Sequence, residues 1–266
     1  MKLYITHTTT YSYDEPVEYA LQQVRLTPKT RENQIVHYWH IDVAGGRKQF
    51  EFEDQHHNMV LLISLFPGCT EVEIKAHGSV TTTDKAGIMG KHGGYAPLWY
   101  FQRTTELTKP GPLVRKLVKD LGTEFNDDVS KLHELSTLIL NHVSYQIGHT
   151  NTNSIVEDVL QNGHGVCQDH AHIFLCAARL MGYPARYVSG YLMLDNQVQQ
   201  DATHAWAEVH VDELGWVGFD VSNGISPDGR YVPIATGLDY RETAPVSGMR
   251  FGESNESMIV SLQVQQ

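Results

Sequence analysis

A chain of 266 residues with 41% hydrophobic and 19% charged side chains can bury one large core or two modest ones, and this balance excludes a disordered or fibrous class. The formal charge of −11 is dispersed, so no basic patch points to a nucleic acid or an anionic membrane. Three cysteines at neither disulfide-like nor metal-like spacing, no signal-peptide core in residues 1–10 and no bilayer-length apolar run make the cytoplasm the expected location.

From Lys2 to about Thr83 the apolar residues recur with period two. One run ends at Asp14-Glu15-Pro16, and Val17 to Leu26 ends at Thr27-Pro28. Gln34 to Val43 turns through Ala44-Gly45-Gly46 into Gln49 to Glu53, a hairpin signal. His57 to Phe66 reaches Pro67-Gly68, and Thr70 to Thr83 follows. Some six strands without a helical pattern predict an N-terminal antiparallel β-sandwich over residues 1–86. Asp54, His56 and His57 read as a solvated loop, because adjacent strand residues point to opposite faces.

Residues 87–109 are assigned as a linker and 110–266 as a second domain that keeps the C-terminal strand. Leu113, Val114, Leu117, Val118 and Leu121 form a helical stripe closed by Gly122. A second helix, capped by Asp128 or Ser130, buries Leu132, Leu135, Leu138, Ile139 and Val143, and Ser154 to Glu157 reads as a capping box for a short third. Beyond Gly163 to Gly165, the residues after Cys167 are apolar on almost every side of a helix, which predicts a buried helix with Cys167 in its first turn. There a thiol meets unpaired backbone N–H groups and the positive end of the helix dipole, which favour its thiolate. Cys176, about 13.5 Å up the same helix and out of phase, reads as core. Gly182 and Pro184 end the helix; Arg186 to Met193 is a strand, Asp195 to Asp201 a polar turn, and Met258 to Val264 a last strand.

Thr203 to Val211 and Trp216 to Val221 form a hairpin in which His204 and Asp220 share parity, so they are opposite or diagonal neighbours on one face. Nucleophile, base and orienting carboxylate are then all present for Cys-His-Asp acyl transfer, with the Cys167 backbone N–H as one oxyanion donor and the second donor unassigned. The plain alternatives are a buried cysteine at 167, a packed strand histidine beside Trp206, and a turn carboxylate at 220.

Gly165-Val-Cys-Gln-Asp-His-Ala-His172, Pro184-Ala-Arg-Tyr-Val-Ser-Gly-Tyr191, Thr203-His-Ala-Trp-Ala-Glu-Val209 and Gly215-Trp-Val-Gly-Phe-Asp220 with Asn223-Gly224 resemble the bacterial transglutaminase-like family. Tyr11-Ser-Tyr-Asp14, Pro16-Val17 and Val24-Arg-Leu-Thr-Pro28 resemble its amino-terminal β domain, and Gly237-Leu-Asp-Tyr240 with Ala244-Pro-Val246 its carboxy-terminal signature. The resemblance implies an α+β fold, a papain-like core behind a β-sandwich. It also implies Cys167, His204 and Asp220 as a triad, with Asp169 and His172 as framework or site-edge residues. Trp206 is placed at the site edge as the neighbour of His204. The family's usual Asp-Pro-Thr-Asn-Gly is Asp220-Val-Ser-Asn-Gly224 here, a turn without its proline.

The expected substrate is a peptide or protein amide, attacked through a thioester and released by hydrolysis or transamidation, with no cofactor. Calcium is not implied, since no loop concentrates acidic ligands. Two rivals are a metal site built from His164, Cys167, Asp169, His170, His172 and His204, whose spacing matches no zinc pattern, and a non-catalytic peptide-binding module on the same fold. Oligomeric state is not legible in the sequence.

Overall fold

The computed structural model describes residues 1–195, 197–200, 202–251 and 255–266. Six strands open the chain: β1 (Lys2–Val17), β2 (Tyr19–Thr27), β3 (Gln34–Ala44), β4 (Gly46–Glu53), β5 (Met59–Leu65) and β6 (Cys69–Thr82). A short β7 (Ile88–Gly90) and a 3₁₀ turn (Leu98–Gln102) lead to α1 (Pro112–Asp120) and α2 (Asp128–His142). Next come β8 (Ser144–Tyr145), α3 (Val156–Asn162), β9 (His164–Gly165) and the long buried helix α4 (Cys167–Leu180). The rest is β10 (Ala185–Leu192), β11 (Gln199–Gln200), β12 (His204–Val211), β13 (Gly215–Phe219), β14 (Tyr231–Gly237), α5 (Tyr240–Thr243), β15 (Val246–Phe251) and β16 (Glu256–Gln265).

Two antiparallel sheets, β11-β16-β1-β6-β3 and β15-β2-β5-β4, make the sandwich. A third, β14-β10-β12-β13-β7, is the core sheet against which α4 packs, while α1, α2 and α3 surround α4. The alternation of β1 serves two cores at once. Tyr11 and Tyr13 enter the sandwich core with Val24, Ile63 and Ile74, whereas Leu3 and Ile5 pack on Val232, Ile234 and Tyr191 of the core sheet. His7 lies between these two stretches; its Nδ1 meets the Tyr191 hydroxyl at 3.0 Å, and burial pulls its pKa down to about 4.

Several expectations are corrected. The C-terminal strand belongs to the front unit: β16 pairs with β1 from Tyr4↔Gln265 to Tyr13↔Glu256, and β15 pairs with β2. Buried Leu262 and Val264 take it there, because β1 otherwise presents an open edge. Residues 87–109 are no slack linker, since β7 is the outer strand of the core sheet and Phe101 is buried against Trp216. The cap of α2 is Asp127, whose Oδ1 accepts from the Ser130 N–H at 2.7 Å.

The capping box at Ser154 does not form. Glu157 reaches instead to the start of α1, where Oε1 accepts from the N–H groups of Gly111 and Val114 (both 3.0 Å) and Oε2 from Leu113 (2.9 Å). His56 is buried rather than solvated, with Nε2 2.8 Å from Glu242. The expected polar turn at Asp195 to Asp201 contains β11, but Asn196 and Asp201 lie outside the described residues. No helix among the described residues is long and apolar enough to cross a membrane.

Candidate active site

Cys167 is the first residue of α4 and follows a tight approach through Gly163 (φ 72°) and Gly165. A Cβ at Gly165 would lie 2.8 Å from the Asp169 side chain, so only glycine passes. Asp169, in the first turn, reaches back: its Oδ2 accepts from the Val166 N–H at 2.8 Å and from the Thr150 hydroxyl at 2.6 Å. This is half of a capping box, because Val166 has no side-chain acceptor to complete it. Burial raises the Asp169 pKa, opposed by these same bonds. Asp169 is thus a framework residue that fixes the turn presenting the sulfur.

The hairpin supplies the other two groups. Its register, Ala207↔Phe219 and Glu208↔Gly218, puts Asp220 across from Trp206 and diagonal to His204, on the face that parity demands. His204 Nε2 donates to Asp220 Oδ2 at 2.6 Å. The ring and Cys167 line the same cleft, and the cysteine acts to raise the ring's pKa. Asp220 is fully buried, and its Oδ2 accepts further from Asn223 Nδ2 (2.6 Å) and from the Tyr231 hydroxyl (2.7 Å). Its Oδ1 accepts from the Asn223 N–H at 3.3 Å.

Burial disfavours the protonated ring of His204, but the bond to Asp220 and the neighbouring Cys167 outweigh it and hold the pKa up at about 10. Burial likewise acts to raise the Asp220 pKa, and its bond with His204 and the Tyr231 and Asn223 donors bring it below the usual carboxylate value. At neutral pH the pair is therefore imidazolium and carboxylate. Trp206, 1% exposed, stacks under the His204 ring at 6.2 Å between centroids.

A cleft of about 780 Å³ opens over the sulfur, lined by Tyr145, Ile147, Tyr187, Leu192, Leu194 and Gln200 among others. Its rim is apolar and open, with Ile147 81% and Tyr145 50% exposed.

The remaining residues singled out from sequence go elsewhere. His172 Nε2 accepts from the Tyr240 N–H at 3.1 Å, and burial followed by the Arg179 and Arg241 charges lowers its pKa to about 3, so it is a neutral framework residue. His170 bridges Val143 O (2.9 Å) and Ser222 Oγ (2.8 Å), tying α4 to the turn after Asp220. The His164 ring lies tilted against that of His149, with centroids 5.0 Å apart. No group of three or more potential metal ligands converges among the described residues. Cys176 is core, its thiol pushed by burial up to about 12. Sequence reasoning missed Tyr231 and Thr150; Ser222 and Asn223 stood in the motif without a role.

Residues 115–221 match the transglutaminase-like superfamily and residues 3–81 the bacterial transglutaminase-like N-terminal region. An uncharacterized protein of Mycobacterium leprae is 25% identical over 280 residues, covering 99% of this chain and 98% of the relative. Uncharacterized proteins of Mycobacterium bovis and Mycobacterium tuberculosis are each 28% identical over 289 residues, covering 98% of this chain and 91% of theirs. A crystal structure from Cytophaga hutchinsonii, named as a candidate cysteine protease, superposes with a TM-score of 0.79 at 22% identity, over 100% of this chain and 91% of that one. That likeness extends to the whole two-part fold.

Proposed function

Because the chain belongs to the bacterial transglutaminase-like family, we propose that it is a cysteine enzyme in which Cys167, His204 and Asp220 act as a triad on an amide carbonyl. The observation that carries this reading is the meeting of Cys167 and the His204 ring in one cleft, with the ring bonded to a fully buried Asp220 that two further donors hold. A buried carboxylate with that many donors fixes the ring's tautomer and its plane.

The Cys167 proton resides on His204, so that the nucleophile is a thiolate beside an imidazolium. The sulfur attacks the amide carbon, and the carbonyl π pair moves onto oxygen, which accepts from the Cys167 N–H at the unpaired start of α4. The oxyanion collapses, the C–N bond breaks, and His204 returns the proton to the leaving nitrogen. A thioester remains. Water attacks it with His204 as base, the C–S bond breaks, and a carboxylic acid leaves. We favour hydrolysis because the cleft is open, its rim residues Tyr145 and Ile147 exposed, so water reaches the thioester without a gate. With an amine as the second nucleophile the same steps give transamidation.

Incubation with glutaminyl peptides, with and without a primary amine, followed by mass spectrometry tests this proposal. A Cys167-bound acyl group with a free acid as final product is expected. An amine-linked product would move the assignment to transamidation, and no adduct on Cys167 with any amide would remove the enzymatic reading. Iodoacetamide gives a second readout: Cys167 is expected to alkylate well ahead of Cys69 and the buried Cys176.

A further inference from the structure

At the other end of the core sheet from the sulfur lies a second cavity, of about 820 Å³, which shares no lining residue with the Cys167 cleft. The loop after β2 (Lys29 to Glu32), the His56 region, the segment 89–96 and the strands β10 and β13 all contribute to it. Its wall carries Arg186, which lies 4.1 Å over the Trp216 ring and donates from Nε to the buried Glu208 at 2.6 Å.

The cavity wall carries four cations, Lys29, Arg31, Lys91 and Arg186, against the carboxylates of Glu32 and Glu213. The Glu208 carboxylate is engaged by Arg186, Glu32 lies 3.8 Å from Lys85, and Asp54 lies 3.7 Å from Arg25. Neither Lys29 nor Arg31 has an ion-pair partner among the described residues; the Lys29 ammonium has only the His56 carbonyl, at 3.5 Å. Each also feels the positive charge of Arg186: burial and then the neighbouring Arg31 bring the Lys29 pKa down to about 8 against the pull of Asp54 and Glu53, and burial and then Arg186 bring Arg31 down to about 10 against that of Glu208. Like charges held together in a half-buried cavity are costly unless an anion joins them. His56 adds a ring whose side chain is 1% exposed and whose Nδ1 is buried without a partner.

We infer that this cavity is a binding site for a small organic dianion, carrying a phosphate or two carboxylates, held by the Lys29 ammonium and the Arg31 guanidinium beside the Arg186–Glu208 pair. Two cations without a direct ion pair among the described residues match two negative charges, and a guanidinium presents paired donors to either kind of oxyanion. Phe101 and Trp216 offer an apolar wall for the rest of the ligand, which distinguishes the site from one for a bare ion.

Calorimetric titration of the full chain with inorganic phosphate and with succinate, at ionic strength fixed by sodium chloride, tests the inference. Saturable binding of at least one anion is expected, weakened tenfold or more in Lys29→Gln and in Arg31→Gln, with Cys167 alkylation unchanged in both. Tighter binding of phosphate assigns a phosphoryl ligand, and tighter binding of succinate a dicarboxylate. As a readout that needs no variant, trinitrobenzenesulfonate modification of Lys29 at pH 8 is expected to slow at saturating anion. Binding no better than chloride, or variants that bind like the parent, would overturn the assignment. These outcomes do not depend on the triad, so failure here leaves the acyl-transfer proposal standing and the reverse holds too.

Discussion

Asp220 is the residue on which the proposed chemistry turns, because three side chains donate to one of its oxygens. Asp220→Asn keeps the shape but removes the charge that favours the imidazolium. We expect kcat/KM for an amide substrate to fall about 10²- to 10⁴-fold, with the alkaline limb of its pH profile displaced below the parent's value near 10. A limb that does not move would mean that Asp220 acts only structurally. The same groups set stability. The raised pKa of His204 contributes stability that is complete below about pH 6.5 and lost as pH rises through about 10, while the lowered pKa of Asp220 contributes above about pH 4 and is lost as pH falls further. In a urea-midpoint series over pH, His204→Gln is therefore expected to flatten the decline between pH 6.5 and 10 that the parent shows. The sulfur, ring and carboxylate are legible in the sequence because helix start and strand parity are local properties. Tyr231 and Thr150 are not, since each reaches the site from a segment whose placement depends on the finished fold.

Among the elements, alternation marks the six front strands, whose observed limits fall close to those expected from Thr27-Pro28, Gly45-Gly46 and Pro67-Gly68. It fails for β14, where every residue from Tyr231 to Gly237 is buried and Pro233 argues against a strand; as the last strand of the core sheet, β14 can dispense with that donor. Its neighbour β10 carries Gly190, where a Cβ would sit 2.4 Å from Val232 O and 2.6 Å from the Trp206 ring. Gly190→Ala is expected to destabilise the protein by about 1–3 kcal/mol, read as a lowered denaturation midpoint with an unchanged slope. Glu157 joins two helices in the same manner at longer range. Glu157→Ala leaves three N–H groups at the start of α1 without a side-chain acceptor, and a loss of about 1–2 kcal/mol is expected in the same assay.

At the level of the whole molecule, the two units are laced together by strands that the sequence order conceals. Composition and period can reveal that Met258 to Val264 alternates, but not which distant edge it completes. A chain ending at Pro245 loses β15 and β16 and exposes the edge of β1. It is expected to aggregate or to lose its single cooperative unfolding transition, whereas independent front and rear units would leave the rear transition intact. The segment that joins the units bears on the chemistry in another way. β7 is hydrogen bonded to β13, with Trp216 opposite Gly90, and β13 runs directly into Asp220. The tether is therefore built into the frame of the core sheet, one strand away from the backbone that carries the carboxylate.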